Sequence, residues 1–351
     1  MCLAAANIGK VAMRILFCSP QFSPRVGGIE TVASLLVPEF IRLGHEVQVV
    51  TFTPSHDGER EEYEVWRRPA AIQLARLVRW SDVVFHHSIS LRMAWPLLLM
   101  RRPWVVSHHG DYGKTMAAAL KLRATNLALN ISVSHSEASY IPAPSTVIQN
   151  PYDDKLFCES DSGTGLRTHS LVFLGRLSPE KGVDVLLRSL KILGQRGLRP
   201  KLKIIGSGPE EPHLQTLARE LGVDGQVSFG GTLRGQALAE ELRRHMILVA
   251  PSLSEAFGIV ALEGMACGCL VVGSSGCGLG EAIGNAGLTF PNGDAGALSE
   301  CLARLLTDAE ERAALLARVP EHLRKFSVNV VAARYLEVLE RAVQGGAHGR
   351  A

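Results

Sequence analysis

Short apolar runs recur along this chain, each stopped by a Gly- or Pro-bearing turn and followed by an amphipathic stretch. Strands that alternate with helices assemble as parallel sheets covered by helices on both faces. The runs that read as strands are Arg14–Cys18, Val47–Thr51, Tyr63–Arg67, Asp82–Phe85, Trp104–Ser107, Ile131–Ser134, Thr146–Ile148, Leu171–Leu174, Lys203–Ile205, Gln226–Phe229, Met246–Ala250, Leu270–Val272 and Gly287–Phe290. Helices are expected over 29–43, 71–80, 91–100, 183–193, 237–243, 258–267, 296–306, 309–325 with a break at Pro320, and 328–343. A chain of 351 residues exceeds one typical core. Two Rossmann-like α/β domains, each a doubly wound parallel sheet, are therefore expected. The polar, Gly/Ser-rich stretch 159–170 reads as a linker, and the residues after Gln344 read as disordered.

Such sheets bind ligands beyond the carboxyl ends of their strands. The densest chemistry there is Ser254-Glu-Ala-Phe-Gly-Ile-Val-Ala-Leu-Glu263. Glu255 lies ahead of the expected helix and Glu263 about a turn and a half inside it. They are roughly 12 Å apart along the axis, too far to act on one bond but suited to two contacts on an elongated ligand. Between them the free N–H groups of Phe257, Gly258 and Ile259 favour an anion. Taken alone, the same spacing is equally that of glutamates that merely cap and solvate a helix. Gly27-Gly28-Ile29-Glu30 also follows a strand and opens a helix, which suits either a phosphate loop or a plain turn. Arg176 and Lys181 flank the turn after Leu174, and Gly206 opens the turn after Ile205. Two strand ends carry His86-His87 and His108-His109. Adjacent residues on a strand point to opposite sides, which disfavours a shared metal.

The segment from Pro251 to Asp294 resembles the donor-binding region of family 4 glycosyltransferases, retaining enzymes of the GT-B fold. The matching residues are Pro251-Ser, Glu255-x-Phe-Gly, Ala261-Leu-Glu263, Met265-Ala-Cys-Gly268, Val271-Val272, Gly278-x-x-Glu281 and Pro291-x-Gly-Asp294. With Gly27-Gly28-x-Glu30, His109-Gly110, Gly175-Arg176 and Glu180-Lys181-Gly182, the resemblance runs from Met13 to Leu339. It implies two domains facing across a cleft. Residues 13–158, with a returning helix at 326–344, would form the acceptor side, and 159–325 the nucleotide-sugar side. It also implies roles. Arg176 and Lys181 clamp the donor diphosphate, helped by Gly28 and the turn at Phe257, Gly258 and Ile259. Gly206 lines the nucleoside, Glu263 holds the ribose, and Glu255 holds the donor sugar beside His109. The donor would be a UDP- or GDP-sugar, no metal or other cofactor would be needed, and the acceptor would be a sugar or lipid-linked sugar of a bacterial-type cell-surface polysaccharide, lipopolysaccharide or glycolipid. A GT-B sugar-nucleotide epimerase and a non-catalytic partner subunit are the rival readings.

Composition narrows the setting. A hydrophobic content of 46% and a net charge of +3 describe an ordinary globular protein. Seven scattered cysteines without C-x-x-C read as reduced thiols, and no apolar run is long enough to span a membrane, so a cytoplasmic protein is expected. Met13 reads as the start of the first strand, with residues 1–12 as a leader. The charge is uneven: Arg67–Arg123 holds ten Lys or Arg against Asp82 and Asp111, a net +8. Such a stretch is either a solvated face or a peripheral contact with the inner face of an anionic membrane, with Lys114–Leu129 as an interfacial helix. No aromatic platform accompanies it, so nucleic acid is not expected.

Overall fold

The computed structural model describes residues 12–25, 27–55, 61–110, 112–113, 115–159 and 168–348. Residues 1–11 of the expected leader, most of the linker, Asp111, Lys114 and the last three residues lie outside this set.

The first half runs β1 (Arg14–Ser19), α1 (Gly28–Arg42), β2 (Glu46–Thr51), β3 (Val65–Arg67), α2 (Ala71–Trp80), β4 (Val83–His87), α3 (Leu91–Ala94), β5 (Trp104–His108), α4 (Met116–Ala124), β6 (Leu129–Ser132), α5 (His135–Ala138) and β7 (Ser145–Val147). The second runs β8 (Thr168–Leu174), α6 (Val183–Gln195), β9 (Lys201–Ile205), α7 (Glu211–Leu221), β10 (Val227–Phe229), α8 (Gly235–Arg243), β11 (His245–Ala250), α9 (Ile259–Ala266), β12 (Leu270–Ser274), α10 (Leu279–Ile283), β13 (Leu288–Phe290), α11 (Ala295–Thr307), α12 (Ala309–Arg324) and α13 (Val328–His348).

Two doubly wound sheets result, as the alternation requires. One has the order β3-β2-β1-β4-β5-β6-β7, the other β10-β9-β8-β11-β12-β13. Strand pairs in both are parallel. Central strands β4, β5, β11 and β12 are buried along their whole length, as strands covered on both faces must be. Strand order reverses between β1 and β4 in the first sheet and between β8 and β11 in the second. Ligands of open α/β sheets settle at such switch points. The loops there are, among the described residues, 20–25 and 27 after β1, His87 at the end of β4, 175–182 after β8 and 251–258 after β11.

The chain divides into two compact units, one of residues 1–132, 141–146 and 332–351, the other of 133–140 and 147–331. Residues 147–158, expected with the first domain, thus belong to the second unit, where Tyr152 N–H donates to Phe326 C=O at 3.3 Å. Segment 133–140 is fixed in that unit by Glu281, which accepts from His135 N (2.7 Å), Ser136 N (3.2 Å) and His135 Nδ1 (2.9 Å).

Three sequence expectations need correction. α12 runs unbroken through Pro320, and α1 likewise contains Pro38. Each proline frees the carbonyl four residues earlier, at Leu316 or Ser34, and both of those residues are exposed. Residues 345–348 are helical, continuing α13. Finally, 114–129 is no single helix: α4 ends at Ala124, a 3₁₀ turn covers Thr125–Leu127, and Leu129 begins β6. Helix α7 was not foreseen, although Leu214, Leu217, Ala218 and Leu221 carry its apolar stripe.

Candidate functional site

In the second unit, four loops after β8, β9, β11 and β13 are tied together at the switch point. Lys181 ends a 3₁₀ turn, Pro179–Lys181, and Gly182 follows it in the left-handed region with φ 64°. A Cβ on Gly182 would stand 2.2 Å from the carbonyl oxygen of Pro251, so only glycine lets this turn lie against the end of β11. Leu253 N–H donates to Glu180 C=O at 2.8 Å, and Asn292 Nδ2 donates to Leu253 C=O at 2.8 Å. This closeness brings Lys181 Nζ into an ion pair with Glu255, whose Oε2 also accepts from Ser252 Oγ at 3.4 Å. Arg176, from the same β8 loop, is exposed. Gly206 has φ 138°, and a Cβ there would lie 1.8 Å from Gly175 C=O, so the β8 and β9 loops touch backbone to backbone.

Gly258 (φ 92°) caps α9 without any side-chain cap. No side chain of the cap residue accepts from the first N–H groups of the helix. Phe257 is buried and points inward rather than toward a ligand. Asp294, part of the matched Pro291-x-Gly-Asp segment, caps α11 through Ala297 N (2.8 Å), a structural task.

Glu263 sits in the second turn of α9. It keeps part of its surface open to solvent, yet protein surrounds its carboxyl on most sides, the situation of a group at the bottom of a concave surface. Burial pushes that carboxyl up to about 7, and the charge of Asp153 adds to the effect. A carboxyl held more weakly acidic in the folded state than in the unfolded one favours folding while protonated. That contribution is complete below pH 4.5 and lost as pH rises through about 7. Glu263→Gln is expected to flatten the loss and to be more stable than the parent at pH 8 by about 2 kcal/mol, after allowance for solvent access. Urea unfolding at several pH values measures it, and parallel profiles for the two proteins would refute it.

The first unit gathers histidines at the ends of β4 and β5. Neighbouring rings do diverge, as the strand geometry dictates. His86 accepts from Trp104 Nε1 at 3.2 Å, and His108 meets Asn130 Oδ1 (3.1 Å) and the Tyr112 hydroxyl (2.6 Å). His87 and His109 instead face each other, with His109 Nε2 3.1 Å from His87 Nδ1. Ser107 Oγ lies 3.2 Å from His87 Nδ1 and 2.9 Å from His109 Nε2. His87 Nε2 reaches the carbonyl of Ile29 in α1 at 3.0 Å. Burial lowers all four, His86 to about 3 and His87 and His108 to about 4, so the rings are neutral at physiological pH. Among the described residues no group of three or more His, Cys, Asp or Glu is placed to hold a metal. In the glycine loop the crowded position is Gly27, where a Cβ would lie 2.5 Å from Glu30 Oε2. Gly28 has open space on that side.

Lys181, Glu255 and Gly258 lie on neighbouring loops and Glu263 in the helix that follows. The sequence did not reveal the Lys181–Glu255 pair, the contribution of Ser252, or the joining of His87, Ser107 and His109, because each depends on contacts between distant elements.

Both halves match known families. Residues 26–156 match the model of Glycosyltransferase Family 4, and residues 161–321 that of Glycosyl transferases group 1. The D-inositol 3-phosphate glycosyltransferase of Saccharomonospora viridis is 37% identical over 184 residues, 49% of this chain and 43% of that protein. The chain spans about half the length of the curated relatives it matches. Among solved structures, Anabaena HepE in complex with UDP and glucose superposes with a TM-score of 0.77 at 19% identity, covering 93% of this chain and 99% of that one. WaaG, a glycosyltransferase involved in lipopolysaccharide biosynthesis, does so with a TM-score of 0.69 at 18% identity, covering 93% and 99%. The fold is GT-B.

Proposed function

We propose that this chain, a glycosyltransferase by the family models that match both of its halves, moves a sugar from a nucleoside-diphosphate sugar to an acceptor with retention of configuration and without a metal. The observation that carries the reading is the Lys181–Glu255 pair beside the uncapped start of α9. Departure of a nucleoside diphosphate builds negative charge, and a fixed cation with aligned N–H groups stabilises it without reorganisation. In this reading Lys181 and Arg176 take the diphosphate, with Gly28, Phe257, Gly258 and Ile259 contributing backbone N–H groups. Gly206 borders the nucleoside, Glu263 takes the ribose hydroxyls, and Glu255 and His109 take the donor sugar. A carboxylate already ion-paired to Lys181 is a poor nucleophile, which favours front-face departure and attack over a covalent glycosyl-enzyme. Binding of UDP and glucose by Anabaena HepE makes UDP the first nucleotide to test and GDP the second.

A nucleotide that binds only the folded protein raises its stability by about 2.7 kcal/mol at one hundred times its dissociation constant. UDP or GDP is expected to raise the melting temperature, and transfer from the matching sugar nucleotide is expected to persist in EDTA. No shift with either nucleotide would sink the donor assignment. Activity abolished by EDTA and restored by manganese would sink metal independence.

For the acceptor, the reading favours a sugar or lipid-linked sugar in cell-surface polysaccharide or glycolipid synthesis. Connections β4–β5 and β5–β6 progress the same way along the first sheet, so right-handed crossovers put them on one face. They expose Leu98, Leu99, Met116 and Leu127, of which Met116 is 83% accessible, beside Arg101, Lys121 and Arg123. This supports a peripheral membrane contact, each cation near an anionic leaflet adding about 1 kcal/mol. No helix among the described residues is long and apolar enough to cross a membrane. Co-sedimentation is expected with phosphatidylglycerol vesicles at low salt and not with phosphatidylcholine ones. Equal recovery with both leaves the stretch an ordinary basic surface.

A further inference from the structure

The hydrogen bonds around His87 fix which nitrogen of His109 carries a proton. The Ile29 carbonyl can only accept, so the 3.0 Å contact makes His87 Nε2 the donor. A neutral His87 then has a bare Nδ1. Two groups face that nitrogen, Ser107 Oγ at 3.2 Å and His109 Nε2 at 3.1 Å. Were His109 Nε2 bare as well, two lone pairs would oppose each other at 3.1 Å, and the single Ser107 proton could serve only one of them. Placing the proton on His109 Nε2 removes the conflict: it points to His87 and Ser107, and the serine hydroxyl accepts or donates as needed. The buried hydroxyl of Tyr335 in α13 also lies near Ser107, short of full hydrogen-bond geometry. The remaining nitrogen, His109 Nδ1, is then a bare acceptor. It is also buried and has no partner among the described residues. A buried polar atom left unpaired costs about 1–3 kcal/mol.

We infer that His87 is a positioning residue: anchored on the Ile29 carbonyl, it holds His109 as the Nε2–H tautomer, so that His109 Nδ1 is presented as an acceptor for a hydroxyl of the bound donor sugar. The inference rests on the donor-sugar role proposed for His109. It adds a link from the loop that opens α1 to that ring, because Ile29 lies two residues after Gly27. His87 touches no substrate atom in this account and acts only through His109.

The test separates the two readings. In uniformly ¹⁵N-histidine-labelled wild-type protein, the Nδ1 resonance of His109, assigned by its loss in His109→Asn, is expected in the unprotonated range. A protonated Nδ1 overturns the inference outright, whatever the variants do. His87→Gln keeps a donor for Ile29 C=O but offers His109 no acceptor in the place of Nδ1, whereas His87→Asn can put an amide oxygen there. His87→Gln is expected to move the His109 proton to Nδ1 and to lower kcat by about 10- to 100-fold. Its nucleotide-induced melting shift should stay that of the wild type. His87→Asn is expected to keep the wild-type tautomer and to recover most of the rate. An unchanged His109 tautomer in His87→Gln overturns the inference. Failure of UDP and GDP to stabilise wild-type protein counts instead against the donor reading and leaves the tautomer result standing.

Discussion

Lys181→Ala is expected to lower sugar transfer by about 10²- to 10³-fold, the loss typical when one preorganised donor to a developing anion is removed. The effect has two parts. The leaving diphosphate loses a cation, and the Glu255 carboxylate, without the Lys181 ammonium that neutralises it, repels the incoming phosphates. The second part is separable. Adding Glu255→Gln to Lys181→Ala removes the stranded charge, so the double variant is expected to bind UDP or GDP more tightly than Lys181→Ala while remaining slow. Lys181→Arg is not expected to restore the rate, because a longer, planar guanidinium fork does not reproduce the compact ammonium paired with Glu255. Nucleotide affinity and kcat measured on the three variants decide the matter. Turnover within a few-fold of the parent for Lys181→Ala would remove this residue from the mechanism.

The second large effect is on stability. Gly206→Ala places a methyl group 1.8 Å from the Gly175 carbonyl oxygen at a backbone φ of 138°. The two loops that collide are also bonded together, Gly175 N–H to Ile205 C=O and Leu177 N–H to Ser207 C=O, both at 3.0 Å. Neither can withdraw alone. Strain and overpacking together are expected to cost about 3 kcal/mol or more. Gly28→Ala is the control: a Cβ there meets nothing within 4 Å, so stability should stay within about 0.5 kcal/mol of the parent. Urea unfolding followed by circular dichroism measures both. Equal midpoints for Gly206→Ala and the parent would contradict the backbone contact. A fall in activity for Gly28→Ala without a fall in stability would place a ligand against that residue.

The fold was legible because its signals are local. Apolar runs, glycine turns and amphipathic stretches each occupy under twenty residues, and the parallel sheet follows from their alternation. Where local rules misled, a three-dimensional fact intervened. Pro320 does not end its helix, because Val319 and Leu323 beside it are buried while Leu316, whose carbonyl it frees, is exposed. The site was legible one residue at a time. Lys181, Glu255 and Glu263 are recognisable by type and spacing, but the pairing of Lys181 with Glu255 joins positions 74 apart. His87, Ser107 and Tyr335 carry no motif that announces a shared network. Glu281 belongs to a matched stretch, yet its three bonds go to His135 and Ser136, which no spacing rule connects to it.

That last contact bears on how such a chain can be dissected. The backbone passes from one unit to the other at four places, after residues 132, 140, 146 and 331. No single cut therefore yields both units whole. A fragment beginning at residue 159 would lack Tyr152, which bonds Phe326, and would leave Glu281 without the His135 segment it caps. A chimera that takes its second unit from a relative must import residues 133–140 and 147–158 with it, while the intervening 141–146 stay with the recipient's first unit. Recombination in this architecture is a matter of braiding rather than of joining end to end.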